Sequence, residues 1–225
     1  MLVRGLADTR ATLSAWNERP GPIIGRWVAA SLAISLLLLG AIWSVAVISQ
    51  PDVSNSFFGI LSEPELGHVG QILMRNALVL ALHAFACIAG FIAGSSLPQA
   101  AERYSGAWRW IHDKAGPLAI LFVIGATGFS LVTQAFVLGQ GAASIAWHLD
   151  ISPGLLLLGL LPHALPELVA LFLPLAAWMI ASRGRDWHEL LAATLITVVL
   201  AIPVLVAAAF VEVYVTPGLL RLLAG

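Results

Sequence analysis

The chain has 225 residues, of which 60% are hydrophobic and 10% are charged, and its formal net charge is −1 at pH 7. With a mean hydropathy of +0.93, this composition excludes a soluble single domain and is typical of a protein whose solvent is mostly lipid. It gives no indication of a nucleic-acid partner. The single cysteine, Cys87, excludes an intrachain disulfide and a CxxC metal site.

Five apolar stretches are each at or above the roughly 20 residues that cross a bilayer core. They comprise residues 27–49, 71–94, 115–139, 153–182 and 189–215. We therefore predict an all-α, polytopic membrane helix bundle with about five transmembrane helices. Residues 27–225 form a single transmembrane domain in this prediction. Residues 1–26 form a cytoplasmic or interfacial N-terminal segment, which suits a short helix on the membrane surface.

The basic residues fall almost entirely in alternate gaps between the apolar stretches. Two such residues, Arg75 and Arg221, are exceptions, whereas residues 50–70 and 140–151 contain no Lys or Arg. The others precede the first span or follow the second and fourth spans: Arg4, Arg10, Arg19, Arg26, Arg103, Arg109, Lys114, Arg183 and Arg185. The positive-inside rule then predicts a cytoplasmic N-terminus and an external C-terminus. We expect a multi-pass protein of the cell's inner (cytoplasmic) membrane.

The fourth apolar stretch, residues 153–182, is too long for a straight perpendicular span. As a continuous helix it would measure about 45 Å, against a hydrocarbon core of about 30 Å. Pro162 and Pro166 each remove a backbone donor, and Pro174 follows in the same stretch. We predict a proline-broken fourth helix. The break is expected to face the protein interior, because freed backbone groups at membrane depth need cover.

Two ionisable residues accompany these prolines. His163 and Glu167 are four residues apart, so on a helix they share a face and are expected to pair, either charged or neutral. Other polar residues inside the spans are candidates for the same polar seam: Asn76, His83, Gln134 and Glu212. Two interpretations stay open, a structural lock that fixes helix packing and a functional site. Small residues in the second span favour close packing: Ala86, Gly90, Ala93 and Gly94.

Several motifs that mark common enzyme classes are absent from the sequence. A metal site on His163 and Glu167 would need His83 or His148 as a third ligand, and the local pattern is not HExxH. GxSxG and Walker A motifs are also missing, and no GxGxxG has a strand-to-helix context. We expect no catalytic residues, no metal and no cofactor.

Three stretches together carry a family resemblance: the helix that follows Asn76, Leu-Pro-His-Ala-Leu-Pro-Glu-Leu at residues 161–168, and residues 207–217 with Glu212 and a Thr-Pro. The pattern resembles the stage II sporulation protein M family of integral membrane proteins, in which Pro-His-Gly-x-x-Glu-Leu follows an apolar run. Ala164 stands where the family commonly has Gly, and Leu-Pro-Leu around Pro174 replaces a small-residue stretch. The resemblance implies a multi-spanning, non-enzymatic component that works beside partner proteins.

Two functions from different classes follow. The first is a membrane scaffold or assembly subunit, whose partners are the lipid bilayer, other membrane proteins and, as a further option, copies of itself. The alternative is a permease or channel subunit that moves protons, ions or a small solute through the helix break at His163 and Glu167. Five spans do not form a simple even-numbered inverted repeat, although a homodimer could complete a pathway.

Overall fold

The structure is a computed structural model that describes residues 2–52, 64–96, 105–184 and 186–225. In these residues the regular elements are helices, and no strand is present. The α-helices are α1 (Leu2–Glu18), α2 (Pro20–Ile48), α3 (Leu66–Phe91), α4 (Gly106–His148), α5 (Pro153–Gly184), α6 (Leu190–Tyr214) and α7 (Thr216–Ala224). A π-helical turn, Ile92–Ser96, extends α3, and a 3-10 turn, Trp187–Glu189, precedes α6.

In the described part of the chain, five helices are long and apolar enough to cross a membrane. They are Pro20–Ile48, Leu66–Gly94, Ile120–His148, Pro153–Gly184 and Trp187–Tyr214. The prediction of an all-α, multi-pass membrane protein is confirmed at this level. The third span lies further toward the C-terminus than residues 115–139, because α4 stays helical to His148. Residues 53–63, 97–104 and 185, with Arg103 and Arg185 of the charge pattern, lie outside the described residues.

The chain divides into two compact units. The first unit comprises Met1–Ser31, Leu78–Thr127 and Leu171–Ala201. The second unit comprises Leu32–Ala77, Gly128–Ala170 and Ile202–Gly225. Each of the five long helices contributes residues to both units, so neither unit corresponds to a contiguous part of the sequence.

Aromatic packing attaches the N-terminal helix to the spanning helices within the first unit. Trp27 of α2 is buried in a cluster with Leu173 and Ala177 of α5 and Ala193 of α6. The ring of Trp16 on α1 lies edge-on to Trp27, with the ring centroids 5.2 Å apart. Such an edge-to-face pair adds to the stabilisation that apolar burial provides. The predicted short helix in residues 1–26 therefore exists and is held by its tryptophan.

The close-packing surface predicted for the second span is present in the first unit. A Cβ atom on Gly90 would lie 2.6 Å from Nε1 of Trp178, and one on Gly94 would overlap the ring of Trp187. Any larger residue would have to displace an indole ring at either position. The absent side chains thus allow two tryptophans to lie directly on the α3 backbone.

The core of the second unit consists mainly of small residues. Ala46 of α2, Ala142 and Ala146 of α4, Leu156 of α5 and Leu220 of α7 are all buried in one cluster. Alanines at this contact allow the helix axes to approach closely, which is how spanning helices gain van der Waals contact without a hydrophobic driving force between them. The short α7 takes part in this packing through its Leu220 side chain.

Helix α5 runs from Pro153 to Gly184 as a single assigned helix, so the predicted break stays a prediction. Pro174 is fully buried, but Pro162 and Pro166 are exposed. The expectation that the break faces the interior is therefore wrong for Pro162 and Pro166. Because a proline cannot donate to the carbonyl four residues earlier, Leu158 and Pro162 keep carbonyl oxygens without an intrahelical donor. Leu158 is itself 62% exposed.

We expect Gly139→Ala to destabilise the second unit. A Cβ atom at this position of α4 would lie 2.6 Å from Cβ of Val45 and 2.9 Å from the carbonyl oxygen of Ile42, a backbone atom that moves only with its helix. Overpacking of this kind costs about 1–3 kcal/mol. The measurement is thermal unfolding in detergent, with Gly128→Ala as control, since nothing lies within 4 Å of a Cβ atom there. Equal unfolding midpoints for the two variants would contradict the packing.

Candidate functional site

Three of the predicted polar residues come together in the second unit. The Glu167 carboxyl on α5 interacts electrostatically with Glu212 on α6, and Asn76 on α3 contacts it through its side-chain amide. Arg75, the neighbour of Asn76, contributes positive charge to both carboxyls. We call Arg75, Asn76, Glu167 and Glu212 the polar cluster. It joins α3, α5 and α6 at a position where all three helices are apolar on either side.

Burial in the polar cluster is graded. Asn76 is 6% exposed, whereas Glu167 and Glu212 are half-buried and Arg75 is exposed. Charged side chains within spans are costly in hydrocarbon, so they face protein or water and interact with one another. With both carboxyls ionised, the cluster carries one net negative charge. A single proton or monovalent cation would neutralise it, which makes proton uptake or cation binding chemically available here.

Asn76 is the least satisfied member of the polar cluster. Its amide lies close to the Glu167 carboxyl, yet the Nδ2 atom is buried without a hydrogen bond of acceptable geometry. A buried donor without a partner costs about 1–3 kcal/mol. A buried donor without a partner persists in a folded protein either as a local strain or because the group binds a ligand.

His163 belongs to a separate hydrogen-bond chain in the second unit. Its Nδ1 atom lies 2.8 Å from the hydroxyl oxygen of Thr216, and this hydroxyl donates to the carbonyl oxygen of Val211 at 3.2 Å. The hydroxyl has one proton, so donation to Val211 requires that His163 Nδ1–H donates to Thr216. The two bonds connect α5 to the corner between α6 and α7, and they fix the histidine tautomer.

The structure gives His163 and Glu167 different partners, so the direct pair predicted from their spacing is not observed. Spacing of four residues places two side chains on one helix face, but it does not determine what other helices offer to each of them. His163 is 6% exposed and bonded to Thr216, while Glu167 is directed to residues of α3 and α6. The partner of His163 that its spacing did not predict is Thr216, and the Thr-Pro at residues 216–217 is the signal that marks this position in the sequence.

The remaining polar candidates do not join the cluster. In the first unit, His83 Nδ1–H donates to the carbonyl oxygen of Leu171 at 2.9 Å, and its ring packs against Phe172. Gln134 donates to the hydroxyl of Ser130 on its own helix at 2.9 Å. Both side chains have local structural partners, so the continuous polar seam that was predicted is reduced to the polar cluster and the His163 chain.

The described residues do not bring together a set of metal ligands. Among the described residues, no group of three or more His, Cys, Asp or Glu side chains is arranged to hold a metal ion. His163, His83 and Glu167, which the sequence offered as potential ligands, have the separate partners given above. The polar cluster is therefore best described as a charge cluster with hydrogen-bonding capacity.

Comparison with known proteins returns no relative: no family model matches the chain, and no curated protein or solved structure matches it. The resemblance to the stage II sporulation protein M family consequently depends on the residue pattern alone, namely the helix that follows Asn76, residues 161–168 and residues 207–217.

We expect Thr216→Val to destabilise the protein more than Thr216→Ser. Valine keeps the shape of threonine but leaves the buried Nδ1–H of His163 without an acceptor, which costs about 1–3 kcal/mol. Serine keeps the hydroxyl and serves as the matched control. Thermal unfolding in detergent measures the difference. In a double-mutant cycle, Thr216→Val should lower the unfolding midpoint little further once His163→Phe has removed the histidine. Fully additive changes in the midpoint would contradict the hydrogen bond.

Proposed function

We propose that the protein is a multi-pass membrane scaffold or assembly subunit of the inner (cytoplasmic) membrane that acts through other membrane proteins. This is also the role that the resemblance to the stage II sporulation protein M family implies. The observation that carries the proposal is the exposed face of α5 formed by Leu158, Pro162 and Pro166, which we call the proline face.

The proline face lies at a depth where lipid offers no hydrogen bonds. At about 1.5 Å per residue, α5 is about 48 Å long, and Pro162 and Pro166 lie about 14 Å and about 20 Å from its start. With a hydrocarbon core of about 30 Å, both prolines fall inside the apolar layer. Two carbonyl oxygens without intrahelical donors are therefore presented at membrane depth. Irregular backbone is tolerated there only when protein or a water-filled cavity covers it.

The contacts of a neighbouring row of residues on α5 explain why the proline face is exposed. Gly159, His163 and Glu167, each one residue after a member of the proline face, are buried or half-buried. Leu220 of α7 lies against Gly159, Thr216 bonds His163, and α3 and α6 supply the partners of Glu167. The three inward positions fix the rotation of α5 about its axis. We infer that this rotation presents the proline face to a partner that donates hydrogen bonds to it.

The orientation in the membrane is part of the proposal. The distribution of Lys and Arg supports a cytoplasmic N-terminus and an external C-terminus. In this orientation the N-terminus of α5 lies outside, so the proline face belongs to the outer half of the bilayer. The predicted proline break is retained here as a local weakening of the α5 hydrogen-bond ladder at Pro162 and Pro166, within a helix that continues beyond it.

A permease or channel subunit is the second candidate, and the polar cluster is the specific observation that favours it. The carboxyls of Glu167 and Glu212 could take up and release a proton or a cation beside the Arg75 guanidinium and the Asn76 amide. In this interpretation the proline face lines a water-filled path that a second subunit completes.

Cysteine labelling tests the orientation. Glu18→Cys and Glu65→Cys place thiols at exposed positions before and after the first span. We expect a membrane-impermeant maleimide added to intact cells to label Glu65→Cys only, and to label Glu18→Cys after the membrane is opened. The parent chain is the control, because Cys87 is buried. Labelling of Glu18→Cys in intact cells would contradict a cytoplasmic N-terminus.

The assembly role is tested by returning the missing backbone donors. We expect the double change Pro162→Ala and Pro166→Ala to keep or raise the unfolding midpoint, because both positions regain a backbone donor. We also expect it to reduce co-purification of partner proteins from native membranes by about tenfold, since about two hydrogen bonds to the partner are lost. Pro203→Ala returns one backbone donor to α6, where the proline is also exposed, and shows whether the loss of partners is specific to α5. Unchanged recovery of partners with the double variant would contradict docking on the proline face.

Glu167→Gln separates the two candidate functions. A scaffold should lose stability and partner assembly together, because the polar cluster holds α3, α5 and α6. A conducting path should keep its fold and partners and lose proton or ion flux in liposomes. Glu65→Gln removes a carboxylate at an exposed position and is the control in both assays. Retained flux in the Glu167→Gln variant would exclude the permease interpretation.

A further inference from the structure

A cavity of about 280 Å³ lies within the first unit, separate from the polar cluster. Its wall is formed by α1, α2, α5, the residues that follow α5, and α6. Trp16 and Trp27 contribute their aromatic rings, and Ile23 and Ile180 contribute apolar surface. The volume is close to the lower end of small-molecule sites, which begin at about 300 Å³. A small polar group with an attached chain fits this size better than a large ligand.

Charges of both signs line this cavity. Arg26 supplies a guanidinium, and Asp186 and Glu189 supply two carboxylates. The electrostatic neighbours of Glu189 are Asp186 and His188, and Arg26 is not among them. A ligand that carries both a positive and a negative group would therefore meet complementary charges in the cavity wall.

The surroundings indicate an amphiphilic ligand. Trp16 and Trp27 form an edge-to-face pair, and tryptophans of membrane proteins concentrate at the level of the lipid headgroups. The cavity is formed where α2 and α6 begin and α5 ends, so it lies at the ends of the spans where headgroups are found. The apolar wall at Ile23 and Ile180 can continue along a hydrocarbon chain.

We propose that this cavity binds the phosphoethanolamine group of a phospholipid. The guanidinium of Arg26 pairs with the phosphate, as arginine does in other phosphate sites. The primary ammonium donates hydrogen bonds to Asp186 and Glu189. A choline headgroup has the same charges but no N–H to donate, and a glycerol headgroup leaves both carboxylates without a cation. Lipid and free phosphoethanolamine share this chemistry, and the lipid is expected because the cavity opens among spanning helices.

Native mass spectrometry of the intact protein, released from detergent, tests the proposal. The protein is titrated with phosphatidylethanolamine, phosphatidylcholine and phosphatidylglycerol that have identical acyl chains, and in a further arm with free phosphoethanolamine. We expect about tenfold more of the ethanolamine lipid adduct than of either other lipid, which corresponds to one charge-assisted hydrogen bond. Binding of free phosphoethanolamine alone would support the same site with a soluble ligand.

Substitutions in the cavity make the test specific. Arg26→Gln, and Asp186→Asn combined with Glu189→Gln, are each expected to reduce the ethanolamine lipid adduct about tenfold. Arg26→Lys should restore most of it, because the charge at the phosphate returns. Arg183→Gln removes an exposed cation of α5 that does not line the cavity and should bind as the parent does. Size-exclusion elution and unfolding midpoints identify variants that remain folded.

Two outcomes would overturn the proposal. One is equal retention of the three lipids by the parent protein, which would indicate general lipid adhesion. The other is an ethanolamine lipid adduct that survives in both folded cavity variants. Neither outcome depends on the assembly role, since the cavity and the proline face belong to different units.

Discussion

The interior of a bilayer provides no hydrogen bonds for backbone groups, and this constraint determines how α5 is used. The helix contains three prolines beyond its first residue, each of which removes one donor from the ladder. In the turns beside Pro174, neighbouring helices provide donors from within the chain: His83 bonds the carbonyl of Leu171, and the thiol of Cys87 donates to the carbonyl of Pro174 at 3.1 Å. The exposed face at Pro162 has no such donor among the contacts described above. Side chains of α3 thus add hydrogen bonds to α5 near Pro174, although neither bond reaches the carbonyl of Ala170, the one that Pro174 leaves without its usual donor.

Polar side chains inside the spans have two different tasks. His163 and Thr216 form a chain of hydrogen bonds that ends on a backbone carbonyl, so these bonds complete a local structure. The polar cluster is different, because two carboxyls, one guanidinium and an unsatisfied amide do not reach a closed set of bonds. Buried polar side chains with incomplete hydrogen bonding respond most strongly to a proton, an ion or a conformational change. Glu167, one residue after Pro166, connects this cluster to the helix that carries the proline face.

Hydropathy was sufficient to predict the class, the five spans and the short N-terminal helix, because apolar length and charge placement are properties of the chain itself. The polar cluster was only partly predictable. Asn76, Glu167 and Glu212 were selected as members of a polar seam, but His83 and Gln134 were assigned to the same seam and have other partners. The difference depends on the rotation of each helix about its axis, which packing contacts such as Gly139 against Ile42 decide. The exposure of Pro162 and Pro166 is not predictable from spacing for the same reason.

The arrangement of residues on α5 explains how the helix can pack in the bundle and still expose the proline face. Residues 159, 163 and 167 form one row along the helix, and residues 158, 162 and 166 form the next, since positions four apart align in ridges. The inward row is held by α7 at its first two positions and by α3 and α6 at the third. Rotation of α5 to hide the prolines would break the His163 bond and move Glu167 toward lipid at once. The exposure of Pro162 and Pro166 is therefore maintained by the polar contacts of the neighbouring row.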